Sequence, residues 1–288
     1  MKDSEKRKQT KSKRPRALSA KALDAEIAAL RRDCAAPGLI SGIHNYCDRW
    51  CERCPQTARC AVYRSEKRRQ DVGAGATDDT GNEAFWNELV VSFAAVVRMI
   101  RRDAKRRGID LDSPELQAET ERADQKRRRA AARSGSALFK AASSYRKAGH
   151  NLLRAIPGAL AETEEALVTE SRLGIGQPDA TAAAIRDALD IVQWYLFFIE
   201  VKLRRAVQGA VDERQLHIED LPRDSDGSAK IALLAIDRSL AAWARLREHF
   251  AAEHGDAILD LLVQLERLRR AAEAKFPAAR EFKRPGFD

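Results

Sequence analysis

The chain has 288 residues, of which 44% are hydrophobic, 33% charged and 6% aromatic, with a net charge of +9. A chain of this length can bury ~75% of its unfolded surface in one large or two smaller domains, so wholesale disorder is excluded. No uncharged apolar run reaches the ~18 residues a membrane span needs. The most apolar stretch, Ile191 to Val201, already contains Glu200 and runs into Lys202. The first residues lack the apolar segment of a secretory signal, so the expected setting is the cytoplasm, where thiols stay reduced.

Taken in chain order, residues 1–17 read as a disordered basic tail. Positions 1–16 carry eight Lys/Arg against Asp3 and Glu5, a net +6, with no apolar periodicity. Such a tail either solubilises the chain or meets phosphate or anionic lipid, which leaves nucleic acid as a possible partner. Ser19 is placed to cap a first helix through Leu23, Ile27 and Leu30, stopped by Pro37-Gly38. Residues 18–71 hold this helix and a cysteine-rich segment, and 72–81 form a Gly/Asp/Thr-rich linker. Residues 82–288 read as a helical bundle. Phe85, Trp86, Leu89, Phe93, Val96 and Ile100 mark one face of a long helix ended by Gly108. Ser113-Pro114 opens a largely polar helix, and a further one is expected over about Ala137 to Ile156, broken by Pro157-Gly158. After Pro178, Ile185, Leu189, Val192, Leu196, Ile199 and Leu203 step by alternating fours and threes. Trp194, Phe197, Phe198 and Val201 make its other faces apolar too, so this helix is expected at the centre. A polar loop near Leu216 to Gly227 precedes helices marked by Leu233 to Phe250 and by Ile258 to Ala272. No strand pattern or repeat is visible, and the expected class is all-α.

The chemistry is concentrated in Cys47, Cys51, Cys54 and Cys60, which fall within fourteen residues at the spacing C-x3-C-x2-C-x5-C. In a reducing compartment such a cluster points to metal rather than disulfides. Cys34 stands apart and reads as a small buried hydrophobe. Structural zinc usually takes two short pairs across a long loop. Compact cysteine loops suit a [4Fe-4S] cubane, whose irons sit at separate corners. The Cys51-x2-Cys54-x5-Cys60 part resembles the [4Fe-4S] loop of endonuclease III-type DNA glycosylases and of AddB-type nucleases. The resemblance covers ten residues and implies the cluster type alone. The turn Ile156-Pro157-Gly158-Ala159-Leu160 lacks the second glycine that such a glycosylase requires. Cys47-x3-Cys51-x2-Cys54 also matches the radical SAM spacing, but Arg53 stands where that motif usually has an aromatic. The chain also shows no βα repeats, and Cys60 is available as a fourth ligand. Iron–sulfur, zinc, radical SAM chemistry and no metal thus remain the alternatives, with [4Fe-4S] preferred. Tyr46 and Trp50 are positioned in sequence to shield sulfurs, and Arg49, Arg53 and Arg59 to offset thiolate charge. His44 is either a further ligand or an ordinary capping histidine.

Other chemistry is poorly supported. The residues three before each histidine are Ser41, Lys147, Arg214, Leu246 and Ala251, so the Glu-x-x-His of di-iron bundles is absent. No phosphate-binding loop or nucleophile elbow is present. Glu200 and Asp237 interrupt apolar helices and require cationic partners. Lys202, Arg204 and Arg205 lie near the first, and Lys230 shares the helical face of the second. The three residues Glu200, Asp237 and Lys230 would line a pocket if the protein were an enzyme; otherwise they pair as structural ions. The basic stretches Arg98 to Arg107 and Lys126 to Arg133 lack interleaved aromatics and read as solvated faces. The expectation is therefore a cytoplasmic, metal-binding helical protein with an unassigned redox or protein partner. The alternative is a zinc-stapled helical module contacting nucleic acid or a protein. The abundance of Ala and Arg points to a bacterial source of high genomic G+C content.

Overall fold

A computed structural model of the chain describes residues 19–71, 83–216 and 223–288. The basic tail, the Gly/Asp/Thr-rich linker and most of the polar loop after Leu216 lie outside the described residues. Within them the secondary structure is entirely helical, with no strand. Seven α-helices follow one another: α1 (Ala20–Ala35), α2 (Ala61–Asp71), α3 (Glu83–Arg106), α4 (Pro114–Ala155), α5 (Pro157–Leu173), α6 (Pro178–Leu216) and α7 (Asp224–Lys275). Single 3-10 turns occupy Ile43–Asn45, Cys51–Arg53, Thr57–Arg59 and Ala279–Glu281. No helix among the described residues is long and apolar enough to cross a membrane.

The chain forms two compact units. One comprises residues up to Ile40 and Cys54–Gln117, the other Ser41–Arg53 and Ala118–Asp288. The sequence reading groups α3 with the helices that follow it, whereas contacts group it with α1. The segment 41–53, read from sequence as part of the N-terminal piece, belongs with the bundle.

In the larger unit, α6 packs along α7 as its alternating apolar spacing requires. Val192, Ile199, Leu203 and Val207 are fully buried against Leu233, Ile236, Leu246 and Ile258. Burial of each such side chain contributes ~1.5–3 kcal/mol. The face of α6 bearing Phe197 and Val201 is exposed, so α6 is covered on most sides but not all. The expected break in the last long helix is present. At Phe250 the backbone leaves helical values (φ −113°, ψ 21°), and the second half of α7 returns beside the first. The reversal brings Arg269 within 3.7 Å of Asp237. By contrast, the two helices expected between Ser113 and Ile156 are one continuous α4, which runs through Ser134-Gly135-Ser136. Tyr145 of α4 is fully buried, and its hydroxyl accepts the indole N–H of buried Trp243 at 3.0 Å. Gly149 lets α4 approach α6: a Cβ there would sit 2.6 Å from Leu196 Cδ1.

The smaller unit is held more by charge than by a core. Ser19 caps α1 as expected, accepting the Ala22 N–H at 3.2 Å. Ile27 and Ala29 of α1 and Ala95 of α3 are buried. Asp33, also buried, accepts from Arg68 of α2 at 2.8 Å, and Asp24 accepts from Arg98 and Arg102 of α3 at 3.1 and 2.9 Å. The apolar face expected on α3 does not form core: Phe93 is 64% and Ile100 54% exposed. What α3 buries are two small residues, Ala95 and Ala104.

Candidate functional site

The segment 41–53 is fastened to the bundle at almost every second residue. Gly42 takes a left-handed turn (φ 70°), and Ile43 beyond it is buried as the first anchor. Asn45 offers its carbonyl to Lys202 of α6, Nζ to O 3.3 Å. The Tyr46 ring lies edge-on to Phe282, centroids 4.7 Å apart, against the face of α7 that Gly227 leaves bare. Asp48 is the hub. Its Oδ2 accepts from Tyr195 Oη and Arg238 Nη1, each at 2.7 Å, and its Oδ1 accepts the Trp50 N–H at 3.2 Å. Its backbone carbonyl accepts the Trp194 indole N–H at 3.0 Å. Trp50 stacks on Trp194 at 5.0 Å, and the Arg53 guanidinium lies 3.9 Å above Trp50. That guanidinium also pairs with Asp187 and Asp190 of α6. Arg49 alone among non-glycine described residues has a positive φ, 61°, and lets the chain turn between the Asp48 and Trp50 anchors.

This lattice carries Cys47 and Cys51. Both are half-buried, as are Cys54 and Cys60 in the other unit, and none of the five cysteines forms a disulfide. The Cys47 thiol donates to the His44 carbonyl at 3.5 Å. Burial pushes its pKa up, while the nearby charges of Arg49 and Lys202 act in the opposite sense. Burial first, then Arg49 and Arg205, hold the His44 imidazole below its usual pKa, so its neutral form is favoured. Cys54 accepts the Gln56 N–H at 3.4 Å, a backbone-to-sulfur hydrogen bond of the kind that steadies thiolates. Cys60 closes the Thr57–Arg59 turn through its own N–H and starts α2 by accepting from Arg64 N–H at 3.1 Å. Arg59 bonds the Gly38 carbonyl at 3.2 Å, and Ile40 N–H bonds the Arg59 carbonyl at 3.0 Å, which ties the end of the loop back to its start. Among the described residues no group of three or more His, Cys, Asp or Glu side chains is arranged to hold a metal ion. Cys34 is exposed on α1, contrary to the expectation that it is buried.

Several side chains singled out in the sequence have roles other than those their neighbours implied. Tyr46 and Trp50 pack on Phe282 and Trp194, and Arg53 and Arg59 serve the anchoring described above. No family model matches the chain, no curated protein matches it, and no solved structure matches it. The site is therefore read from this chain's own residues. Glu200 does not pair with Lys202. It accepts from Arg146 and Arg204, each at 2.8 Å, and although burial opposes ionisation these two cations hold its carboxyl below the usual value. Asp237 pairs with Arg280 at 2.6 Å and Lys230 with Asp288 at 2.8 Å. Glu200, Asp237 and Lys230 thus each have their own ion-pair partners and do not pair with one another. Of the basic stretches, Arg98, Arg102, Arg106, Arg107, Arg127 and Arg128 are likewise engaged with acids. Sequence inspection missed Asp48, Tyr195, Arg238 and Lys202 as site residues. The one available signal for Lys202 is that it falls three residues after Ile199, beside Leu203, on the face that the apolar spacing marks as buried.

Proposed function

We propose that Cys47, Cys51, Cys54 and Cys60 ligate a [4Fe-4S] cluster, used for electron transfer, redox sensing or stabilisation of the fold. The observation that carries this reading is four thiols within fourteen residues, at a spacing suited to separate corners of one cubane. The surroundings support it. Cys47 lies beside two cations, and Cys54 accepts a backbone N–H. Around Cys47 and Cys51 the side chains that could wander are pinned to α6 and α7 instead. When bound, the cluster would supply one-electron chemistry. The residues here would hold the ligands, keep water from Cys47 and set the local charge. A reducing bacterial cytoplasm and an unassigned redox or protein partner belong to the same proposal.

Purification without oxygen, followed by iron, zinc and acid-labile sulfide analysis, tests it. A brown protein with iron and sulfide in cubane ratio, lost when the four cysteines are changed to serine, is the expected result. A colourless protein with stoichiometric zinc overturns the cluster and leaves a zinc-stapled module. Absence of both metals overturns the site.

A further inference from the structure

At one end of the larger unit, the last turns of α6, both ends of α7 and the side of α4 border a cavity of about 820 Å³. That volume falls within the ~300–1,000 Å³ of small-molecule sites. Phe276, which is 4% exposed, forms its apolar wall. Its charged lining is Glu213 and Arg214 on α6, with Arg223, Asp226 and Lys275 at the start and finish of α7, a net +1. Two of these groups are already engaged. Glu213 accepts the Ser225 N–H and hydroxyl at 2.8 and 2.7 Å, and Lys275 donates to the Ser134 carbonyl and hydroxyl at 2.8 and 3.0 Å. Asp226 is not engaged. Only 8% of it is exposed, and among the described residues it has neither a hydrogen-bond donor nor an ion-pair partner. A buried carboxylate left in that condition is costly. The first turn of a helix favours an acid, but Asp224 already supplies one there, paired with Arg205 at 2.8 Å. Arg214 and Arg223 stand exposed at the rim and, unlike Arg204 and Arg205 earlier on α6, form no ion pair among the described residues.

We propose that this cavity binds a small aminoalkyl phosphate, with Asp226 accepting the ammonium at the base and Arg214 and Arg223 holding the phosphate at the rim. A buried acceptor without a donor calls for a cationic donor, and two free guanidiniums suit a phosphate, which they can grip by paired N–H groups. A phosphate monoester carries about −1.5 to −2 at pH 7, so one ammonium brings such a ligand close to −1, matching the +1 of the lining. Glu213 and Lys275, already bonded within the protein, shape the walls. The site uses none of the cysteines and does not depend on the metal reading.

The full chain is titrated into phosphoethanolamine and, separately, into glycerol phosphate, which has hydroxyls in place of the ammonium. Broadening of each compound's phosphorus NMR line gives its dissociation constant. Phosphoethanolamine is expected to bind about tenfold more tightly, the worth of one charge-assisted hydrogen bond. Asp226→Asn removes that preference and leaves glycerol phosphate binding unchanged. Arg214→Gln and Arg223→Gln, both at exposed positions, each weaken both compounds about tenfold. Equal affinity for the two compounds in the parent reduces the cavity to a plain anion site and overturns the proposal. A preference that persists in Asp226→Asn overturns it too, as does the absence of saturable binding below about 10 mM. Should Asp226→Asn fail to fold, the parent's preference and the two arginine variants decide, and phosphoethanolamine binding that survives loss of both arginines defeats the site.

Discussion

Asp48→Ala is the substitution whose effect follows most directly from the geometry. It removes the acceptor of three hydrogen bonds, from Tyr195 Oη and Arg238 Nη1 at 2.7 Å each and from Trp50 N–H at 3.2 Å. Arg238 is about half exposed, so its share is that of a surface pair, under ~1 kcal/mol. Tyr195 is 1% exposed, and leaving its hydroxyl without an acceptor costs ~1–3 kcal/mol. Together the loss is about 3 kcal/mol, and it falls on the docking of residues 41–53 rather than on the α6–α7 core. Three kcal/mol corresponds to roughly two orders of magnitude in the opening equilibrium. Amide hydrogen exchange across 41–53 is therefore expected to accelerate about a hundredfold, while α6 amides near Ile199 stay protected. Asp48→Asn gives an intermediate rate, because one amide oxygen can serve either Trp50 or Tyr195 but not both. Unchanged exchange in 41–53 of Asp48→Ala would refute the argument that this carboxylate holds the segment down.

Three further outcomes follow from the same structure. Burial pushes the Tyr145 phenol to about 12 against an ordinary value of 10, so the unfolded chain ionises first as the medium turns alkaline. Stability present below pH 10 is then lost progressively toward pH 12, by a few kcal/mol at most, and urea titrations across that range should show it weakened in Tyr145→Phe. Gly149→Ala places a methyl 2.6 Å from Leu196 Cδ1; overpacking of ~1–3 kcal/mol outweighs a helix-propensity gain of ~1 kcal/mol. The melting temperature should fall, and partly recover when Leu196→Ala is added; a rise in Gly149→Ala alone would contradict the close α4–α6 approach. Arg53→Ala removes one cation–π contact and two exposed ion pairs, so urea unfolding should register no more than ~1 kcal/mol, and a loss above twice that would mean Arg53 holds more than Trp50.

Much of the architecture was written in local spacing. The alternation of fours and threes from Ile185 to Leu203 identifies the buried face of α6, whereas Trp194, Phe197 and Val201, which made the helix look apolar all round, stand exposed. Ser19 and Ser113-Pro114 mark true helix starts, since the chemistry of a cap is confined to its own turn. Where partners come from afar, sequence fails. Glu200 does take its neighbour Arg204, but its second partner is Arg146, 54 positions earlier, and nearby Lys202 is passed over. Asp48 meets Tyr195 and Arg238 at separations of 147 and 190. The α3 stripe was misread for a different reason. Periodicity shows that a face is apolar, but not that anything covers it, and on this helix the buried positions are two alanines, Ala95 and Ala104. The separate helices read from Ser113 and from about Ala137 are one, because a lone glycine such as Gly135 costs a helix only ~1 kcal/mol, which the rest of the 42-residue α4 tolerates.

The reversal at Phe250 has a practical corollary. Most antiparallel helices are joined by slack chain that tolerates cleavage, insertion or new termini. Here a single residue, Phe250, leaves helical values between the two limbs, and it is itself buried. A cut or insertion there would pull that ring from the core it fills. Engineered breaks and inserted tags should therefore be poorly tolerated beside Phe250, even though Ala251, Ala252 and Glu253 are accessible to solvent.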